Sequence, residues 1–284
     1  MSDQPLIRPG FLFSQHSLGT FARCPRRFLL KYIDRLPWPV PEEEDPSGYQ
    51  RHLERGRVFH QWMVRQQLGI DMSEMAATCG DPMLETWWQA AQTFDWRTLP
   101  SDVREPEMAM VVPIGAYRLY ARYDLVALNR GGRAVIVDWK TLGTRPSERI
   151  LRTRLQTRIY LYTLVTSGGL ITGGLPIDPS DTHMLYWFTE FPGDPSDVSY
   201  SADEHRLAEH DLRALVQDIA SREREAFART SDPKLCARCN YRSLCDRAET
   251  PGKVPADASA PSDSWLDEDI DFALDLDTVE DLDY

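Results

Sequence analysis

The stretch from Glu105 to Thr141 constrains this chain more than any other. It holds three runs rich in β-branched and aromatic residues, EMAMVVPI, YRLYARYDLVAL and RAVIVDWKT, separated by turn signals at Gly115 and at Asn129-Arg130-Gly131-Gly132. Such runs predict an antiparallel meander, and the rest of the chain has to pack around it. Before it, the spacing of apolar residues predicts a helix, or two short ones, over 17–33, with Pro25 marking a kink or a break after Cys24. Further helices are predicted over 50–68 and 83–94, and residues 37–48, rich in proline and acidic groups, read as a surface loop. After the meander come helical periodicity over 147–166, a strand over 183–191 and a helix over 202–229.

The meander also carries chemistry. Alternate side chains of a strand share a face, so Asp138 and Lys140 point one way and Trp139 the other. A turn centred on Gly131 sets Asp124 directly opposite Asp138, with Cβ atoms about 5 Å apart. Two half-buried carboxylates at that distance repel unless a divalent cation lies between them. Mg²⁺ or Mn²⁺ held there polarises a phosphate oxygen and acidifies a bound water, and Lys140 stands where it orients that water and meets developing negative charge. A bare D-x-K also describes a solvated ion pair on a surface hairpin. The surrounding landmarks decide between the two.

Those landmarks resemble the PD-(D/E)XK nucleases, and within them the RecB-like group that includes the AddB nuclease domain and CRISPR-associated RecB-like exonucleases. Six occur in order over residues 14–246: Cys24-Pro25 in SLGTFARCPRRF, Gly56-x-x-x-His60, an upstream glutamate at Glu107 with Glu105 close by, Ala121-Arg122-Tyr123-Asp124, Asp138-Trp139-Lys140-Thr141, and Gln156-x-x-x-Tyr160. Ala121 stands where the family usually has glycine. The resemblance implies an α/β fold with a restriction-endonuclease-like core, a mixed central β-sheet flanked by helices. It also implies a metal held by His60, Asp124 and Asp138, with Lys140, Glu107, Gln156 and Tyr160 completing the catalytic set. The expected activity is metal-dependent hydrolysis of DNA phosphodiesters, chiefly as an exonuclease on single strands or DNA ends, in repair, recombination or defence. A non-catalytic nuclease-fold subunit is the other reading, and intact Asp124, Asp138 and Lys140 argue against it.

Five cysteines leave one unpaired, and in a reducing compartment they read as ligands or buried thiols. Cys236, Cys239 and Cys245 form C-x2-C-x5-C, and a tetrahedral site needs a fourth sulfur from Cys24 or Cys79. In the resembling nucleases a lone N-terminal cysteine joins such a cluster around [4Fe-4S], which implies Cys24 here and a clamp joining the two ends of the domain. Spacing alone leaves iron–sulfur and zinc both open.

The net charge of −12 is uneven: residues 262–284 carry ten acidic groups and no lysine or arginine. The remainder is nearly neutral and free to carry local basic surface. Arg145, Arg149 and Arg152 align at helical spacing with Gln156, a stripe able to track phosphates. Domain boundaries are expected at 1–248 for the nuclease domain and 249–284 for a linker and disordered acidic tail. In that tail Trp265, Leu266, Ile270 and Phe272 interleave with the acids, as in a peptide that occludes the cleft or docks on a repair or defence protein. No run resembles a membrane span or a signal peptide, so a cytoplasmic protein with no membrane partner is expected.

Overall fold

The computed structural model describes residues 5–37, 48–141 and 143–247. Most of the 37–48 loop and the tail from 249 lie outside the described residues. The elements run β1 (Leu12–Ser14), α1 (Gln15–Arg23), α2 (Pro25–Phe28), α3 (Gly48–Gln67), α4 (Ser73–Thr78), α5 (Pro82–Gln92), β2 (Val103–Pro106), β3 (Ala109–Ile114), β4 (Tyr117–Arg122), β5 (Leu125–Leu128), β6 (Ala134–Lys140), α6 (Glu148–Thr153), α7 (Leu155–Ser167), α8 (Gly169–Thr172), β7 (Thr182–Phe188), β8 (Ser196–Ser199), α9 (Ala202–Ala220) and α10 (Pro233–Ala237). Helices flank mixed sheets, as a restriction-endonuclease-like core requires. Among the described residues no helix is long and apolar enough to cross a membrane.

The meander forms with a bend. β2 and β3 are two halves of one pass, and β4 and β5 two halves of the next. Ala109 lies opposite Arg122 in a three-stranded sheet ordered β1-β4-β3, and Pro106 lies opposite Leu125 in a five-stranded sheet ordered β2-β5-β6-β7-β8. Both pairings belong to one register. Between them Tyr123 N–H donates to the Met108 carbonyl at 2.9 Å and Glu107 N–H donates to the Asp124 carbonyl at 3.0 Å. The bend centres on Glu107, whose φ of 53° is left-handed and carries a conformational cost for a residue with a Cβ. β6 pairs antiparallel with β5 and parallel with β7, so the larger sheet is mixed.

Period-two alternation sorts the sheet residues into two cores. Val126, Leu128, Ala134, Ile136, Met184, Tyr186 and Phe188 face one core with α1, α7 and α9; Leu125, Ala127, Val135, Val137, Trp139 and Trp187 face the other with α3 and α5. Trp87, Trp139 and Trp187 are fully buried in the second, and each large aromatic removes about 150–250 Å² from water. Asp138 shares parity with Ile136, so it faces the α7 side, opposite Trp139.

The break expected at Pro25 is present, and two later helices differ from the sequence reading. The N-terminal helix breaks at Cys24, where ψ of 98° ends α1 and Pro25 opens α2, and a π-helical turn over Leu29–Ile33 follows. The helix expected over 147–166 is two, because Arg154 adopts extended backbone between α6 and α7. The arginine stripe is therefore broken: Arg145 pairs with Asp194, Arg152 with Glu148 and Glu204, while Gln156 is buried. α9 stops at Ala220, nine residues short of the expected end at 229. The short α4 and β8 lacked enough periodicity to be read.

Candidate active site

Register places the acids. Leu125 is opposite Val137 in β5–β6, so one further step sets Asp124 opposite Asp138, while the continuous first hairpin sets Glu107 opposite Asp124. Three carboxylates thus form a row across three adjacent passes of chain, at the bend where the sheet opens. His60, three turns into α3, reaches the row from the second core, with Nδ1 3.3 Å from Asp124 Oδ1. One ligand atom from each of His60, Glu107 and Asp124 lies within 4.8 Å of the others. Glu105 is exposed on β2, and it is Glu107 that enters the row.

Each acid has its own support. Asp124 Oδ2 accepts from Trp139 N–H at 2.9 Å. Glu107 pairs with Arg122. Asp138 Oδ1 accepts from Gln156 Nε2 at 2.7 Å, and Gln156 Oε1 accepts from Lys140 Nζ at 3.0 Å. Asp138 Oδ2 faces Lys140 Nζ at 2.8 Å as an ion pair, yet it is buried with no hydrogen-bond donor aligned on it. Gln156 therefore fixes the acid and the lysine relative to one another. Tyr160, one turn on along α7, packs edge-on against Tyr123 with ring centroids 5.1 Å apart.

The electrostatics follow from crowding negative groups in a buried place. Burial, and then the Asp124 charge, push Asp138 up to about 6, although Lys140 opposes them. Burial and Asp124 likewise raise Glu107, against the pull of Arg122. Burial would raise Asp124 too, but His60, Lys140 and the Trp139 amide hold it below the usual carboxylate range. His60 is the mirror case: burial lowers it, while Asp124, Asp138 and Glu107 outweigh burial and raise it. Burial beside Asp138 and Asp124 keeps the Tyr160 phenol protonated, raised well above its ordinary value.

These donors suit a hard divalent cation. They are oxygen-rich with one imidazole, and the acids are mutually repulsive without a cation. Lys140 provides a fixed positive charge beside them, 5.9 Å from the Tyr186 ring centroid.

A second cluster lies at the chain ends. Cys24, Cys236, Cys239 and Cys245 line one pocket together with Arg23, Arg27, Arg229, Arg242 and Arg247. Arg247 donates to Cys236 Sγ at 3.4 Å. Burial raises the Cys239 and Cys245 thiols, with Cys24 adding to both, although nearby arginines pull the other way. Arg26 N–H donates to the Ala228 carbonyl and Tyr241 Oη to the Leu36 carbonyl, so N- and C-terminal segments are held together around the sulfurs. Cys79 lies apart, bonded to Asp81.

Reading the sequence missed His52. It is buried on α3, with Nε2 2.8 Å from the Thr141 carbonyl oxygen. Its signal was present as His52, Gly56 and His60 at four-residue spacing, one face of one helix.

No curated protein matches this chain. Solved structures similar to it include the "Putative exonuclease" of Eubacterium rectale, at 11% identity and TM-score 0.46 over 72% of this chain and 79% of that one. The protein SSO0001 aligns at 14% identity and TM-score 0.35 over 88% of this chain and 90% of that one. A family model described as the PD-(D/E)XK nuclease superfamily matches residues 12–246, nearly the whole described region, and the chain belongs to that superfamily.

Proposed function

We propose that this protein is a metal-dependent deoxyribonuclease of the RecB-like group, acting as an exonuclease on single strands or DNA ends. The observation that carries the reading is the gathering of His60, Glu107 and Asp124 within 4.8 Å of one another, with Asp138 outside that group but opposite Asp124 in the sheet register and ion-paired to Lys140. His60, Asp124 and Asp138, with Glu107 beside them, would hold Mg²⁺ or Mn²⁺. When bound, such an ion supplies Lewis-acid polarisation of the phosphate and a more acidic water. The chain's own residues do the rest. Lys140 orients the attacking water and stabilises charge developing on the phosphate oxygens. Gln156 keeps Lys140 and Asp138 in register, and Tyr160 closes the floor of the site as a neutral phenol.

The four cysteines would hold a [4Fe-4S] cluster. The preference for the cluster over zinc rests on the family resemblance of Cys24 with the C-x2-C-x5-C run, whose four cysteines line one pocket. The arginines lining the pocket match the negative charge of a thiolate-bound cluster. Its place in the reading is structural, a clamp between residue 24 and the C-terminal loop. The acidic, apolar tail beyond 249 would serve as a docking segment for a repair or defence protein.

The test is digestion of end-labelled linear and of circular single-stranded DNA by anaerobically purified protein with Mn²⁺ or Mg²⁺, beside Asp138→Ala and Lys140→Ala. Loss of linear substrate by wild type alone, a resistant circle, and iron retained in both variants is the expected result. A wild type that binds but never cleaves DNA overturns it.

A further inference from the structure

His52 has no part in the chemistry above, yet its buried side chain joins the helix carrying His60 to the backbone just past Lys140. It lies eight residues before His60 on α3, about 12 Å along the axis and on the same face. It is 6% exposed, and its Nε2 is 2.8 Å from the carbonyl oxygen of Thr141, 89 residues later. A carbonyl oxygen only accepts, so Nε2 carries the proton and donates it. Burial pulls this imidazole below the ordinary histidine value, the Thr141 carbonyl opposing, which leaves it neutral at pH 7 with its single proton committed to that bond.

The neighbours make the contact close and directional. Gly56 sits midway between His52 and His60, and a Cβ there would meet Thr141 Oγ1 at 3.2 Å, so α3 rests directly on the residue after Lys140. The His52 ring stands edge-on to Trp87 at 5.3 Å, and Trp87 Nε1 donates to Glu190 Oε1 at 2.9 Å. Glu190 follows Thr189, whose N–H donates to the Lys140 carbonyl at 2.9 Å. The last carbonyl of β6 and the one just after it are thus held by separate partners, Lys140 by the chain leaving β7 and Thr141 by His52.

We propose that His52 is a positioning residue of the nuclease site: its Nε2–H fixes the Thr141 carbonyl, and so sets the end of β6, with Asp138 and Lys140, at a defined distance from His60 on the same helix. The proposal rests on the nuclease reading. It gives one rigid body, about two turns of α3, control over the spacing between the His60 imidazole and the Lys140 ammonium. A mis-set lysine lowers turnover and leaves DNA binding to the rest of the surface.

The experiment compares wild type, His52→Leu and His52→Gln for kcat and KM on linear single-stranded DNA with Mg²⁺, each with its thermal midpoint. His52→Leu fills the space without a donor, and the expected result is a ~10- to 100-fold lower kcat with unchanged KM, the size of a displacement of about 1 Å. His52→Gln, whose amide nitrogen reaches the same depth, recovers most of that loss. An unchanged kcat in folded His52→Leu, or a glutamine variant no better than leucine, overturns the proposal. Should the leucine variant not fold, imidazole ¹⁵N shifts of wild type decide it: a neutral Nε2–H tautomer at pH 7 supports the clamp, and an Nδ1–H tautomer or an imidazolium refutes it. A wild type without nuclease activity removes the functional reading and this inference with it, whereas an active wild type beside an equally active His52→Leu removes the inference alone.

Discussion

The carboxylate row and the cysteine pocket are assembled in opposite ways. The acids sit on consecutive passes of one meander, and each has its own protein partner: the Trp139 amide for Asp124, Arg122 for Glu107, and Gln156 with Lys140 for Asp138. The sulfurs come from segments far apart in the chain, joined among the described residues by Arg26 N–H to the Ala228 carbonyl, Tyr241 to Leu36, the Arg224–Asp34 ion pair and the stacking of Phe227 on Phe28. The fold builds the first site, while in the proposed reading a cluster held in the second would tie those distant segments together. Substitutions in the row should therefore damage activity more than stability, and substitutions in the pocket the reverse.

The largest expected effect is on turnover. Lys140→Ala removes a charge that acts on the reacting phosphate, and kcat should fall by about 10²- to 10³-fold. The thermal midpoint should move little, because the sheet register holding the acids is untouched. A midpoint drop matching that of a core truncation would blur the distinction. Next in size is Cys236→Ser in anaerobically prepared protein, where loss of bound iron should accompany a destabilisation of ~2–5 kcal/mol, the range for removing a native cross-link. Denaturant titration followed by tryptophan fluorescence measures it. A variant that loses its iron and keeps wild-type stability would show that the pocket is filled but closes nothing. Smaller again is Gln156→Leu, which unhooks Asp138 from Lys140 without removing either, and a 10- to 100-fold loss is typical when a group behind the ligands is deleted. Metal titration separates its causes: a weakened apparent Mn²⁺ affinity points to Asp138, an unchanged one to Lys140.

How much of this was visible in the sequence depends on whether the information was local. The turn at Gly131 fixed the register of β5 against β6, which is why Asp124 opposite Asp138 could be read directly. Strand parity put Trp139 in one core and Asp138 facing the other. Helix interruptions were harder. Pro25 announced the break at Cys24, but Arg154 carries no comparable signal, and its extended backbone turned an apparent stripe of arginines into separate ion pairs with Asp194, Glu148 and Glu204. The bend at Glu107 was invisible, since nothing in EMAMVVPI marks a left-handed residue, although the bend is what brings that glutamate into the row. For His52 the shared face with His60 was legible from the four-residue spacing, but its partner was not, because a backbone carbonyl has no identity in a sequence.

The smallest effect expected here tests the electrostatics that distinguish the row from the pocket. With no metal bound, Asp138 titrates near 6 in the folded protein, above an unfolded carboxylate, so the folded state binds this proton more tightly. Stability from this group is present at low pH and is lost as pH rises through 6. His60 acts with the same sign, since its raised value makes its contribution complete below about 6.5 and lost as pH climbs through the higher folded value. Asp124, held low, loses its contribution only at pH values below this window. The metal-free protein should therefore be less stable at pH 8 than at pH 5.5, and Asp138→Asn should remove part of that difference, on the order of 1 kcal/mol. Mg²⁺ should raise the midpoint of wild type more at pH 8 than at pH 5.5, because the ion meets carboxylates that no longer compete with protons. Thermal midpoints of both proteins across this range, with EDTA and with Mg²⁺, measure the effect. If Asp138→Asn follows the wild-type pH profile without metal, the buried charge is already compensated by Lys140, and the row is a settled ion pair instead of a site strained toward a cation.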